Sequence, residues 1–150
     1  MNQPVILLVE DDNNDEELAK LALQENSIKN ELIVVRDGQE ALDFIFAQGK
    51  HSSRDPSVLP QVVLLDLKLP KINGLQVLQK LRQNDYTKYL PVVIFTSSKG
   101  EKDLIDGYKF GANAFVQKPI DFAEFSAAVQ QLGMFWVLWN KCTSEKPQQK

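Results

Sequence analysis

The stretch QVVLLDLKLPKING, residues 61 to 74, decides the fold. Val62-Val63-Leu64-Leu65 is apolar at every position, has the length of a strand, and stops at an acid, Asp66. A Pro-Lys-Ile-Asn-Gly turn then leads into a helical pattern from Leu75. A strand apolar on both faces belongs inside a parallel sheet that helices cover on each side. Asp66 then stands at the carboxyl end of a central strand, the edge where ligands and chemistry collect in open α/β sheets. The plain alternative is a turn aspartate that merely ends a strand.

Similar units lie on either side. Pro4 to Val9 is a strand-length apolar run that also ends in acids, Glu10, Asp11 and Asp12. Asn13 with Glu16 three residues later matches an N-cap and capping box, and Leu18, Leu21, Ala22 and Glu25 follow at helical spacing. Helix-dipole compensation on a solvated face accounts for Asp15, Glu16 and Glu17, but poorly for Glu10 and Asp11 at the strand end. Glu31 to Val35 is a third strand, Arg36-Asp37-Gly38 a turn, and Ala41, Leu42, Ile45 and Phe46 mark a helix. Gln48 to Pro60 reads as a long exposed loop in which His51 is solvated. Leu75, Leu78 and Leu81 mark a helix ending near Asn84, before a buried strand, Val92 to Phe95, that Thr96-Ser97-Ser98 terminates. A short helix is expected over 101–110, then a strand Ala114-Phe115-Val116 ending at Lys118-Pro119. Asp121 caps a last helix carrying Phe122, Phe125, Val129, Leu132 and Trp136. Strands alternating with helices five times predict a doubly wound flavodoxin-like (βα)5 fold, strand order 2-1-3-4-5.

The chain has 150 residues, 43% of them hydrophobic, which suits one domain with a real core. A net charge of −3 with no basic stripe argues against direct nucleic-acid binding. A single cysteine, Cys142, excludes an internal disulfide framework and suits the cytoplasm. The start, MNQPVILLVEDD, lacks the basic region of a signal peptide, and no run reaches the length of a membrane span.

In the order 2-1-3-4-5, the strand ends bring Glu10, Asp11, Asp66, Thr96 and Lys118 to one edge. Carboxylates that close repel one another unless their pKa values rise or a cation sits among them. Hard oxygens without a histidine or cysteine cluster favour Mg2+, which keeps several waters and takes one or two carboxylates plus a phosphate oxygen. Such an ion, an ammonium group (Lys118) and a hydroxyl (Thr96) around one carboxylate make a phosphoryl-transfer site, with Asp66 as nucleophile. Lys118-Pro119 is a candidate cis peptide.

The motifs V-E-D-D at 9–12, D-L-K-L-P-K-I-N-G at 66–74, T-S-S at 96–98 and F-V-Q-K-P at 115–119 closely resemble the receiver domain of two-component response regulators, over residues 4 to 132. The resemblance implies that Asp66 accepts a phosphoryl group from a histidine kinase. It makes Glu10 and Asp11 an acidic pair, with Asp11 the direct magnesium ligand and the Lys68 backbone carbonyl a further one. Lys118 would contact the phosphoryl group. Thr96 and Phe115 would be the switch pair, with Phe115 where many members have tyrosine. The Lys68 and Ser98 side chains would border the route of attacking water. The Gln48–Pro60 loop and the aromatic C-terminal segment look more specifically like the small response regulators partnered with cyanobacterial phytochromes.

Residues 1–132 are thus expected to form the receiver domain and 133–150 an extension. Met134 to Trp139 is apolar all round, more than one stripe of a packed helix needs. It either folds back over its own core or forms an interface, and aromatics favour the interface. Phe135, Trp136, Leu138 and Trp139 are therefore expected to bury against a second copy in a homodimer. No output module is legible, so the expected action is by contact with an unknown downstream protein. Two alternatives stand beside this. One is a phosphorylation-independent binding module with the same fold. The other is a haloacid-dehalogenase-type phosphatase, which needs a second aspartate two residues after the nucleophile, where this chain has Lys68.

Overall fold

The computed structural model describes residues 5–25, 30–96 and 100–117, and positions 123, 126, 127, 130 and 131. Five parallel strands, β1 (Val5–Val9), β2 (Glu31–Val35), β3 (Val62–Leu65), β4 (Val92–Thr96) and β5 (Ala114–Gln117), form one sheet in the order β2-β1-β3-β4-β5. The helices between them are α1 (Asn13–Glu25), α2 (Gly38–Phe46), α3 (Gly74–Gln83) and α4 (Glu101–Lys109). The expected architecture and strand order are the observed ones. Register runs Leu7↔Ile33 and Leu7↔Val63, then Leu64↔Val93 and Ile94↔Phe115.

Strand alternation splits the core in two. Leu7, Val9, Val63, Leu65, Val92 and Ile94 face α2 and α3 and pack on Ala41, Ile45, Val77, Leu78 and Leu81. Ile6, Leu8, Val62, Leu64, Val93 and Phe95 face α1 and pack on Ala19, Ala22 and Leu23. Burying each large aliphatic side chain stabilises by roughly 1.5–3 kcal/mol, so neither face of β3 tolerates a polar residue.

Three local expectations are corrected. The N-cap of α1 is Asp12, not Asn13: its Oδ1 accepts from the backbone N–H of Asn14 at 2.8 Å and of Asp15 at 3.1 Å. Glu16 closes no capping box and is not solvated. It is 7% exposed, and its carboxylate takes Arg36 from the end of β2 and Lys20 at 2.8 Å. Among the described residues, a complete capping box is formed instead by Asn73 with Gln76 at the start of α3. Leu21 points outward, and Ala19 and Leu23 take the inner face beside Ala22.

The Gln48–Pro60 segment is built rather than loose. It contains a 3-10 turn, Gly49–His51. Arg54 lies 3.9 Å over the Phe44 ring and donates to the carbonyls of Phe44 and, at 2.7 Å, Val58. His51 is half-buried, edge-on to Phe44 and 3.3 Å from the Glu40 carboxylate. The segment is exposed at most of its positions, as expected, but the histidine is not simply solvated, because Phe44 supplies an apolar platform.

At the opposite edge from Asp66, Arg82 ties three connections together. Its guanidinium donates to the carbonyls of Gly111 (2.9 Å) and Thr87 (3.1 Å) and to Asn113 Oδ1 (3.0 Å). Asn113 Oδ1 also accepts from the Val92 N–H at 2.8 Å, which joins the starts of β4 and β5.

Candidate phosphorylation site at the carboxyl edge of the sheet

The pairing Val9↔Leu65↔Ile94 puts the ends of β1, β3 and β4 side by side. Residues just beyond these pairs therefore share one edge. Glu10 follows β1, with its N–H donating to the Val35 carbonyl at 2.9 Å and its carboxylate accepting the Asp12 N–H at 3.2 Å. Asp66 follows β3, with its N–H donating to the Val9 carbonyl at 3.2 Å. Glu10 is 2% exposed and Asp66 7%, so both acids are buried, whereas Asp11 is exposed.

The Thr96 hydroxyl, on a fully buried residue at the end of β4, donates to Asp66 Oδ1 at 2.7 Å. The Lys68 backbone N–H donates to the same oxygen at 3.1 Å. One carboxylate oxygen is thus gripped by the neighbouring strand and by the loop that follows. That loop closes on itself through the Gly74 N–H and the Leu67 carbonyl at 3.1 Å. The Lys68 side chain is exposed. Phe115 lies in β5 opposite Ile94, half-buried against the α2–α3 side of the core.

Glu10, Asp11, Asp66, Thr96, Lys68 and Phe115 can thus be placed. Lys118 with the Lys118-Pro119 bond, Ser97 and Ser98, the Asp121 cap and the Phe135–Trp139 segment lie outside the described residues.

Sequence reasoning missed the tie between Arg36 and Glu16, which anchors the first turn of α1 to the end of β2. The Arg36 guanidinium and then the Lys20 ammonium hold the Glu16 carboxyl below its ordinary range. Glu40, one turn into α2, is also held low. Burial pushes it up, but Lys50, the Arg36 N–H and His51 together outweigh that. No spacing rule pairs Arg36 with Glu16, twenty residues apart, or Glu40 with Lys50 and His51, ten and eleven apart, so these contacts leave no signal in one sequence.

Among the described residues, no three or more histidine, cysteine or carboxylate side chains are grouped so as to hold a metal ion by themselves. Magnesium needs none, since it keeps several waters and takes one or two carboxylates. Glu10, Asp11 and Asp66 offer hard oxygen donors only, and that chemistry fits it.

The response regulator receiver domain family matches residues 6–130. The chain belongs to this family. It is 38% identical over 133 residues to the response regulator Rcp1 of Synechocystis sp., spanning 89% of this chain and 88% of that protein. The manganese-bound structure of Rcp1 superposes with a TM-score of 0.81, covering 89% of this chain and 94% of that one. The phosphorylated cyanobacterial phytochrome response regulator RcpA, 30% identical, superposes at 0.83 over 91% of this chain and 95% of its own. The bacteriophytochrome response regulator AtBRR is 47% identical, with a TM-score of 0.73 over 91% and 96% of the two chains. The resemblance read from the motifs thus extends over nearly the whole receiver, in sequence and in fold.

Proposed function

We propose that this receiver is a single-domain response regulator that takes a phosphoryl group on Asp66 from a histidine kinase. The observation that carries the proposal is the hydrogen bond of 2.7 Å from Thr96 to Asp66 at the carboxyl edge, beside buried Glu10. A carboxylate oxygen of Asp66 attacks the phosphorus of the kinase phosphohistidine. The new P–O bond forms as the P–N bond breaks, and the imidazole leaves with its electron pair and takes up a proton. Asp11 and Glu10, Asp66 and the Lys68 backbone carbonyl would hold the magnesium ion. Bound there, it neutralises charge on the phosphoryl oxygens. Lys118 contacts the same oxygens. No independent enzymatic activity is proposed beyond gain and loss of this group.

Phosphorylation adds close to two negative charges beside a buried hydroxyl. Thr96 turns toward the phosphoryl group, Phe115 moves inward, and the surface of α4 and β5 changes. Lys68 and Ser98 side chains border the path of water and set the phosphoryl lifetime. The kinase is a phytochrome, a reading supported by the likeness to the phytochrome response regulator RcpA and the bacteriophytochrome response regulator AtBRR. The receiver spans 1–132, and the extension 133–150 makes a homodimer through Phe135, Trp136, Leu138 and Trp139. The output is contact with a further protein in the cytoplasm. Among the described residues no helix is long and apolar enough to cross a membrane.

The test is incubation with a small-molecule phosphodonor and magnesium, followed by intact mass. The expected result is one phosphoryl adduct that requires magnesium and disappears in Asp66→Asn. An adduct that persists in Asp66→Asn overturns the assignment.

A further inference from the structure

The loop from Asp66 to Gly74 is held from outside as well as by its own turn. Its outer limb rests on the start of α2. The Gly38 N–H reaches the Pro70 carbonyl at 3.4 Å. A Cβ on Gly38 would overlap the carbonyl group of Ile72, so only glycine lets α2 approach this closely. Lys71 sits at a left-handed φ of 66°, which non-glycine residues rarely adopt, and its ammonium lies 3.6 Å from Asp37 Oδ2. Asp37 meanwhile caps α2, its Oδ1 accepting the Glu40 N–H at 2.7 Å. One aspartate therefore closes the first turn of α2 with one oxygen and faces the phosphorylation loop with the other.

The inner limb of that loop carries Lys68, whose N–H holds Asp66 Oδ1. Between the two limbs lie only Leu69 and Pro70, and proline fixes its own φ. Displacement of the outer limb is thus passed to the inner one through little slack.

We propose that Asp37, Gly38 and Lys71 are positioning residues for the phosphorylation site. They set the Lys68 backbone against Asp66, so that divalent cation binding at the sheet edge and order in the first turn of α2 are thermodynamically coupled. The inference rests on the phosphoacceptor reading above. Coupling of this kind is reciprocal: what steadies the loop steadies α2, and what loosens α2 weakens the cation.

The test uses the full chain with Mn2+. Free Mn2+ is read by its paramagnetic signal, and hydrogen exchange is followed by mass over residues 36–46. In the wild type, saturating Mn2+ is expected to slow exchange in the first turn of α2. Lys71→Asn keeps a residue that tolerates the left-handed backbone but removes the exposed pair. It is expected to weaken Mn2+ about two- to fivefold, as exposed pairs allow, and to reduce the α2 protection. Lys71→Arg is expected to restore both. Gly38→Ala is expected to cost about tenfold or more, the scale of a lost outer partner of a metal ligand. Should Gly38→Ala not fold, the wild-type exchange and the Lys71 pair decide. Wild-type affinity in Lys71→Asn, or α2 exchange unchanged by saturating Mn2+, overturns the coupling. If the wild type binds no Mn2+ and shows no Asp66-dependent adduct, the phosphoacceptor reading falls and takes this proposal with it.

Discussion

At the scale of single residues, Asp66 Oδ1 is shared between a hydroxyl from β4 and an N–H from its own loop. Thr96→Val keeps the volume and removes the donor from a fully buried position. The expected cost is about 1–3 kcal/mol, since the carboxylate loses a charge-assisted partner. Denaturant melts at constant pH measure it. The phosphoryl adduct should still form, because the nucleophile remains. Glu16 gives a pH signature. Its carboxyl is held low by Arg36 and Lys20, both about half in water, so solvent screens the pairs and the gain is small. A depressed carboxyl contributes fully above its unfolded pKa of about 4.3 and loses that contribution as the pH falls through the lower folded value. Glu16→Gln should therefore destabilise at pH 7 and lose that effect in acid as the wild-type carboxyl takes up its proton, seen as a narrowing difference between melting curves.

At the scale of elements, the sequence was most informative where period and composition agree. The all-apolar β3 and the acids that end β1 and β3 located the sheet and its carboxyl edge, because strand alternation and burial act locally. It misled where two elements meet. Asn13 and Glu16 have the spacing of a capping box, but Arg36 arrives from β2 and claims the carboxylate, leaving Asp12 to cap. His51 lies in a polar loop, yet Phe44 and Glu40 from α2 receive it. Such contacts depend on tertiary placement that no window of sequence contains. Arg82 is another case, a single cation holding two carbonyls and a side-chain amide. Arg82→Ala is expected to cost roughly 1–3 kcal/mol, since two part-buried carbonyls lose a charged donor. It should raise hydrogen exchange at the start of β4 and β5 more than at Asp66. In α4, Gly107 leaves room for Ile94 and the Phe115 ring: a Cβ there would lie 2.6 Å from Ile94 Cδ1. Gly107→Ala gains up to about 1 kcal/mol of helix propensity but incurs an overpacking cost of about 1–3 kcal/mol. A net loss of stability with a shifted Phe115 ring resonance is expected by NMR.

At the scale of the whole molecule, charge and assembly decide. Magnesium binding to the folded state alone raises Tm by mass action, with the increment set by concentration over Kd. Asp11→Asn removes one hard donor without disturbing the buried core, so the magnesium-induced rise in Tm should shrink while the metal-free Tm changes little. Leu104, Ile105 and Tyr108 leave apolar surface on α4, with Ile105 56% exposed. The homodimer proposed above predicts that Trp136→Ala with Trp139→Ala sediments as a monomer where the wild type sediments as a dimer, with secondary structure unchanged.

The strand order also bears on how the chain comes into being. β1 is made first but lies between β2 and β3, and its pairing of Ile6 with Val62 joins segments far apart in the chain. A nascent chain can lay β2 against β1 early, yet the other margin of β1 has no mate until Val62 to Leu65 leaves the ribosome. Until then an apolar ribbon ending in Glu10 and Asp11 lies open to wrong partners. Distant pairings of this kind slow folding and prolong that exposure. The acids that serve the finished site also give the waiting ribbon like charges that keep two such chains apart.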